Sequence, residues 1–107
     1  MSEPDISYHS NGNIASIQYI VYNDPNDFSC SLHRLDGPAQ TLWHPNGNIY
    51  AISYRVNDLP HRLDGPADIA YFDDGSICDI QYYINGERIF CSSDQEFKKI
   101  VKLMPFK

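Results

Sequence analysis

Residues 43–56 read WHPNGNIYAISYRV, and the same grammar occurs twice more, as YHSNGNIASIQYIV at 8–21 and YFDDGSICDIQYYI at 71–84. In each segment an aromatic residue (Tyr8, Trp43 or Tyr71) closes one short strand. A tight turn comes next, on Asn11-Gly12, Asn46-Gly47 or Asp74-Gly75. Asn-Gly and Asp-Gly accept positive φ, which predicts a primed hairpin turn at each place. The next strand alternates, placing Ile17, Tyr19 and Val21, then Ile52, Tyr54 and Val56, then Ile80, Tyr82 and Ile84 on one face. Gln18, Ser53, Arg55 and Gln81 face the other way, so one face is expected to be buried and the other wetter. The alternation slips between Ile49 and Ile52, which predicts a bulge or strong local twist.

Outward from these segments, HRLDGPA stands at 33–39 and again, letter for letter, at 61–67. A catalytic reading makes His33 or His61 a base, Asp36 or Asp64 its orienting carboxylate, and Arg34 or Arg62 an anion holder. No nucleophile or phosphate-cradling glycine loop accompanies them. The structural reading makes the heptad a connector: Gly37 and Gly65 permit a turn, Pro38 and Pro66 fix φ, and Leu35 and Leu63 anchor it in the core. The Asp carboxylates would accept backbone N–H groups, with His and Arg hydrogen-bonded around them. Recurrence at one place in each unit favours the connector, because every repeat must solve the same crossover. In the third unit the equivalents of His61, Arg62 and Leu63 are Ile89, Phe90 and Cys91, where the chain leaves the repeat. Cys91 then reads as a small hydrophobe.

The first unit carries seven extra residues before its heptad, within YNDPNDFSCSL at 22–32, whose Asn, Asp, Pro and Ser predict a surface loop. Insertions in repeat proteins often mark a binding face, which makes Tyr22, Asp24, Asp27 and Phe28 a candidate interaction loop. A tolerated loop without a role is the plain alternative. After the third unit, SSDQEFKKIVKLM predicts a helix over 93–104. Ser93 is its N-cap, with Glu96 completing a capping box. Phe97, Ile100, Val101 and Met104 form its apolar stripe, and Pro105 stops it. The helix is expected to cover the last hairpin or the open face of the sheet, as a terminal cap.

At 107 residues the chain is read as one domain, with units at about 8–39, 43–67 and 71–90. The fold class is mainly β: an antiparallel meander of three stacked hairpin units in a single sheet, capped by a C-terminal amphipathic helix.

Charge is uneven: −10 over residues 1–97 against +4 over 98–107, for −6 in total. An acidic body repels phosphate backbones, so direct nucleic-acid binding is not expected, and a basic protein partner is favoured. Cys30, Cys78 and Cys91 are odd in number and lack CxxC spacing, which reads as reduced thiols rather than a disulfide framework or zinc site. His9 and His44, like His33 and His61, sit a whole unit apart with no second ligand at helical or hairpin spacing, so no metal or cofactor is expected. No signal peptide or apolar membrane span is expected in the sequence, which points to the cytoplasm.

The Asn-Gly hairpin, the strand ending in VNDLP or INGER, and the HRLDGPA heptad resemble degenerate MORN-like repeat proteins of bacteriophages, giant viruses and some bacteria. The resemblance covers about residues 8–90 and implies stacked hairpins, a scaffold-like role, a host-cytoplasmic location and no catalytic residue. The leading functional expectation is a non-catalytic protein-interaction module. The alternatives are an inhibitor of a host defence or nucleic-acid enzyme acting through an acidic surface, and a nucleotide-like ligand binder. The ligand pocket would lie between sheet and helix, lined by Tyr54, Tyr82 and Arg55 or Arg88. A free sheet edge, at Ala39–Trp43 or in the first hairpin, would allow a homodimer.

Overall fold

Short alternating strands separated by turn residues build one broad antiparallel sheet and a small separate ribbon. The computed structural model describes residues 4–24 and 27–105, with side chains described outside 23–29. The strands are β1 (Pro4–Tyr8), β2 (Ile14–Asp24), β3 (Asp27–Leu32), β4 (Gln40–Trp43), β5 (Ile49–Ser53), β6 (Arg55–Val56), β7 (Leu59–Pro60), β8 (Asp68–Tyr71), β9 (Ile77–Ile84) and β10 (Glu87–Ile89). The helix α1 spans Asp94–Leu103. The main sheet runs β1-β2-β4-β5-β8-β9-β10, with β3 also paired to β2, while β6 and β7 form a separate ribbon. The molecule is a plate with extents of 45 × 42 × 17 Å.

The hairpins β1–β2, β4–β5 and β8–β9 share one turn. His9 N donates to Asn13 O at 2.7 Å and Gly12 N to His9 O at 3.0 Å; the same pair of bonds recurs at 44–48 and 72–76. Only the glycines take positive φ there: Gly12 at 90°, Gly47 at 94° and Gly75 at 90°. Each is therefore a three-residue loop ending in a left-handed glycine, not the expected primed turn. Asn11, Asn46 and Asp74 instead accept the backbone N–H two residues on with their side-chain oxygens. Such a loop throws a bulge into the next strand, and the register slips at Tyr8↔Ile14, Trp43↔Ile49 and Tyr71↔Ile77. The bulge expected between Ile49 and Ile52 is thus present in all three hairpins.

Primed geometry occurs elsewhere. Asn57 and Asp58 have φ of 51° and 68°, and Asn85 and Gly86 have 51° and 83°. These two-residue turns close β6–β7 and β9–β10. The extra residues of the first unit lengthen the corresponding hairpin rather than forming a loop: β2 continues to Asp24 and pairs with β3 at Ile20↔Leu32, Val21↔Ser31 and Tyr22↔Cys30. Tyr22 is exposed; the side chains of Asp24, Asp27 and Phe28 lie outside the described residues. A homodimer edge at Ala39–Trp43 is ruled out, because β4 is bonded to β2 on one side and β5 on the other. The first hairpin does supply an edge strand, β1.

The core sits where the helix meets the last hairpin. Phe97 is fully buried against Tyr82 and Ile84, with Ile89, Cys91, Val101 and Met104 around it. The Phe97 and Tyr82 rings lie 4.8 Å apart. Ser93 caps α1 by accepting the Glu96 N–H at 3.1 Å, and the Glu96 carboxylate reaches back to Ser92. Burial, then the hydrogen bond to Asp94, push the Tyr82 hydroxyl up to about 12. Burial and the Glu96 charge raise the Cys91 thiol, consistent with a small packing residue.

Phe97→Ala is expected to cost about 3–5 kcal/mol in urea unfolding, whereas Leu103→Ala, at a side chain facing solvent, stays within about 0.5 kcal/mol. The Tyr82 hydroxyl ionises near 10 when unfolded and near 12 when folded, so its stabilisation is intact below pH 10 and is lost as pH climbs from 10 to 12. Denaturation midpoints measured across that window should fall more steeply for the natural protein than for Tyr82→Phe.

Candidate functional site

The twin heptads hold the densest set of chemically suggestive side chains, and the structure gives both the same bonds. Arg34 Nε donates to Asp36 Oδ1 at 3.0 Å and its Nη1 to Pro38 O at 3.3 Å. Arg62 repeats this with Asp64 at 2.9 Å and Pro66 O at 3.1 Å. Each guanidinium lies 4.0 Å from a tyrosine ring centroid, Tyr19 for Arg34 and Tyr54 for Arg62. Asp36 and Asp64 are 85% and 80% exposed, so these ion pairs contribute about 0–1 kcal/mol. Ring stacking, at about 0.5–2 kcal/mol, and the proline carbonyl bonds hold the arginines more firmly.

The glycines and leucines do different work from that expected. Neither Gly37 nor Gly65 has positive φ; a Cβ on either would stand 3.0 Å from the guanidinium carbon of Arg34 or Arg62. Glycine is there to admit the arginine. Leu35 and Leu63 are exposed rather than anchored in the core. The anchoring falls to Ala39 and Ala67, both fully buried. The aspartates receive the arginine Nε where backbone N–H groups were expected.

The histidines bind the backbone of a neighbouring unit. His33 Nδ1 accepts the backbone N–H of Asn57, and His61 Nδ1 that of Asn85, both at 2.9 Å. These bonds assign each ring the Nε2–H tautomer. At the opposite border of the sheet, His9 Nε2 donates to Trp43 O at 2.8 Å and His44 Nε2 to Tyr71 O at 3.2 Å. Asn11 and Asn13 both donate to Pro45 O, and Asn46 and Asn48 both to Asp73 O, all at 2.8 Å. Every one of these bonds joins a unit to its successor. The third unit is followed by α1, and it carries Phe72, Ile89, Asp74 and Ser76 at the equivalent positions. There the Ser76 hydroxyl, then its backbone N–H, bond Asp74 and hold its carboxyl below the usual carboxylate range. The sequence carried this signal: His and Asn present in two units, absent from the last.

A groove of about 500 Å³ runs between the connectors, lined by Arg34, Asp36, Tyr54, His61, Arg62 and Asp64 among others. It brings the two heptads side by side without joining His33 to His61. The pocket expected between sheet and helix is filled by Phe97. Its expected lining is dispersed: Tyr54 under Arg62, Tyr82 against Phe97, Arg55 on Ser53 Oγ, and Arg88 over Phe90. Among the described residues no group of three His, Cys, Asp or Glu side chains is placed to hold a metal ion. No helix there is long and apolar enough to cross a membrane. No family model, curated protein or solved structure matches this chain.

Gly65→Ala should push the Arg62 guanidinium a few tenths of an ångström along the Tyr54 ring and cost about 1 kcal/mol. If that contact is the cause, Gly65→Ala combined with Arg62→Ala will unfold at nearly the same denaturant concentration as Arg62→Ala alone. Additive losses would place the cost elsewhere.

Proposed function

We propose that this chain is a non-catalytic MORN-like repeat module that mediates protein–protein interaction, with a basic protein surface as the partner it fits. On its resemblance to viral and bacteriophage repeat proteins, it serves as an accessory protein in the host cytoplasm. The observation that carries this reading is the use made of the reactive side chains. Each of the four histidines gives a ring nitrogen to the next unit, and both connector arginines lie on tyrosines beside their own heptads. What remains for other molecules is broad surface and the groove between the connectors.

The polar face of the sheet supplies the charge. Directly paired residues share a face, so Asp5, Gln18, Gln40, Ser53, Asp68 and Gln81 form one row across it. Ser7, Ser16, Leu42, Ala51, Ala70 and Asp79 form the next. Three carboxylates lie in these rows; beside them Arg55 donates to Ser53 Oγ, whose hydroxyl bonds Asp68, so Asp5 and Asp79 carry the excess negative charge. The lengthened β2–β3 hairpin, with Tyr22 exposed, stands beside this surface as the most individual element of the plate.

The immobilised chain should retain a basic protein from host extract at about 0.05 M salt and release it by about 0.5 M, as screened charges would. Replacing Asp5, Asp68 and Asp79 by Asn should weaken retention, and removing 24–30 should do so if the hairpin takes part. Retention indifferent to both salt and these changes would refute the acidic-face reading.

A further inference from the structure

The opposite face of the sheet is apolar and only partly covered. Three rows cross it. Pro4, Tyr19, Ala39, Tyr54, Ala67 and Tyr82 form the row that the connectors and α1 lie over, with Arg34, Arg62 and Phe97 on its three tyrosines. The second row is Ile6, Ile17, Thr41, Ile52, Ile69 and Ile80. The third is Tyr8, Ile14, Trp43, Ile49, Tyr71 and Ile77, brought onto the same face by the bulges. Among the described residues no layer covers the second and third rows. Ile6, Tyr8, Ile14, Ile77 and Ile80, on the outer strands, are exposed by 45%, 63%, 37%, 55% and 37%, and the seven remaining positions are half-buried among their neighbours.

We propose that this open strip is a homodimer interface, covered in solution by the same strip of a second copy. The twelve positions contain no charged residue, although the chain carries 22 charges, 14 acidic and 8 basic. Charge depletion with aromatic enrichment is the composition of an interface core. A second copy brings an equally charge-free strip, so the strips close with no charge desolvated, and their carboxylates stay on the two outer faces.

Size and shape agree. Six strands about 4.8 Å apart and about four residues deep give a strip of roughly 400 Å² in projection, the size of the largest apolar patch on an ordinary monomer, which is often functional. Two such strips stacked bury about 800 Å² in projection, at the small end where pairs are weak and transient. The pair is therefore weak and concentration-dependent. The connectors and α1 make a ridge along one border of the strip. A two-fold axis running along the rows reverses the strands, so each ridge passes outside the turn border of the other copy. Aligned packing of twisted sheets is the ordinary way such faces meet, and an isologous pair closes without forming a filament. This inference goes beyond the partner-binding reading and stands without it.

The test is sedimentation equilibrium of the full chain from about 1 µM to 1 mM. A species of twice 12.3 kDa should grow in with concentration. Ile6→Lys and Ile80→Lys, at side chains already more than a third exposed, should each weaken the dimer at least about tenfold, by setting an unpaired charge in the strip. Ser7→Lys and Asp79→Lys, on the same strands but on the polar face, should leave it within about threefold. Circular dichroism of all four variants keeps folding separate from association. A monomer throughout the range, or a dimer that the face-changing lysines spare, overturns the proposal while leaving partner capture untouched.

Discussion

The bond from the Asn57 backbone N–H to Nδ1 of His33, repeated between Asn85 and His61, ties each connector to the turn of the next unit. A plate one sheet thick has little interior, and its buried apolar residues number five among those described: Ala39, Ala67, Tyr82, Ile84 and Phe97. Hydrophobic burial alone cannot hold such short strands in register. Polar groups in the turns and connectors must instead be paired with neighbours, since an unpaired, partly buried N–H costs about 1–3 kcal/mol. The staples run along both borders of the sheet, histidine and connector at one, histidine and asparagine at the other. Between them the register is set by the β-branched rows.

The same constraint explains how the third unit hands over to the helix. The final unit drops His and Asn for Ile89, Phe72, Asp74 and Ser76, and turns its polar side chains onto itself. Over its tyrosine, where the first two units lay a guanidinium, it lays Phe97 from α1. An aromatic ring replaces a cation at the same station, and the apolar core of the described residues forms there.

Much of this was legible in the residues. Repetition of the Asn-Gly segments located the hairpins, the slipped alternation marked the bulges, and Ser93 with the stripe from Phe97 to Met104 placed the helix within a residue. Turn type was not legible, because Asn-Gly suits both a primed turn and a left-handed glycine that ends a three-residue loop; the Asn11 side chain, accepting the Asn13 N–H, selects the second. The role of Gly37 and Gly65 was hidden because their neighbour is a side chain folded back from three residues earlier, which no local pattern reports. Leu35 was misplaced because apolar identity says nothing of direction in a connector without period. The extra residues at 22–32 looked like a loop by composition, yet pairing to β2 overrode those local preferences.

Residues that look catalytic in HRLDGPA are thus held by bonds that a repeat must make. The central claim is that His33 and His61 are twins in geometry because each accepts one backbone N–H from the next unit. Long-range imidazole ¹⁵N spectra, with scalar coupling across the hydrogen bond, test it most directly. The account predicts the Nε2–H tautomer for both rings, with coupling from the Asn57 and Asn85 amides into Nδ1. Unlike tautomers for the two rings, or amides at 57 and 85 that exchange as fast as free peptide groups, would contradict it.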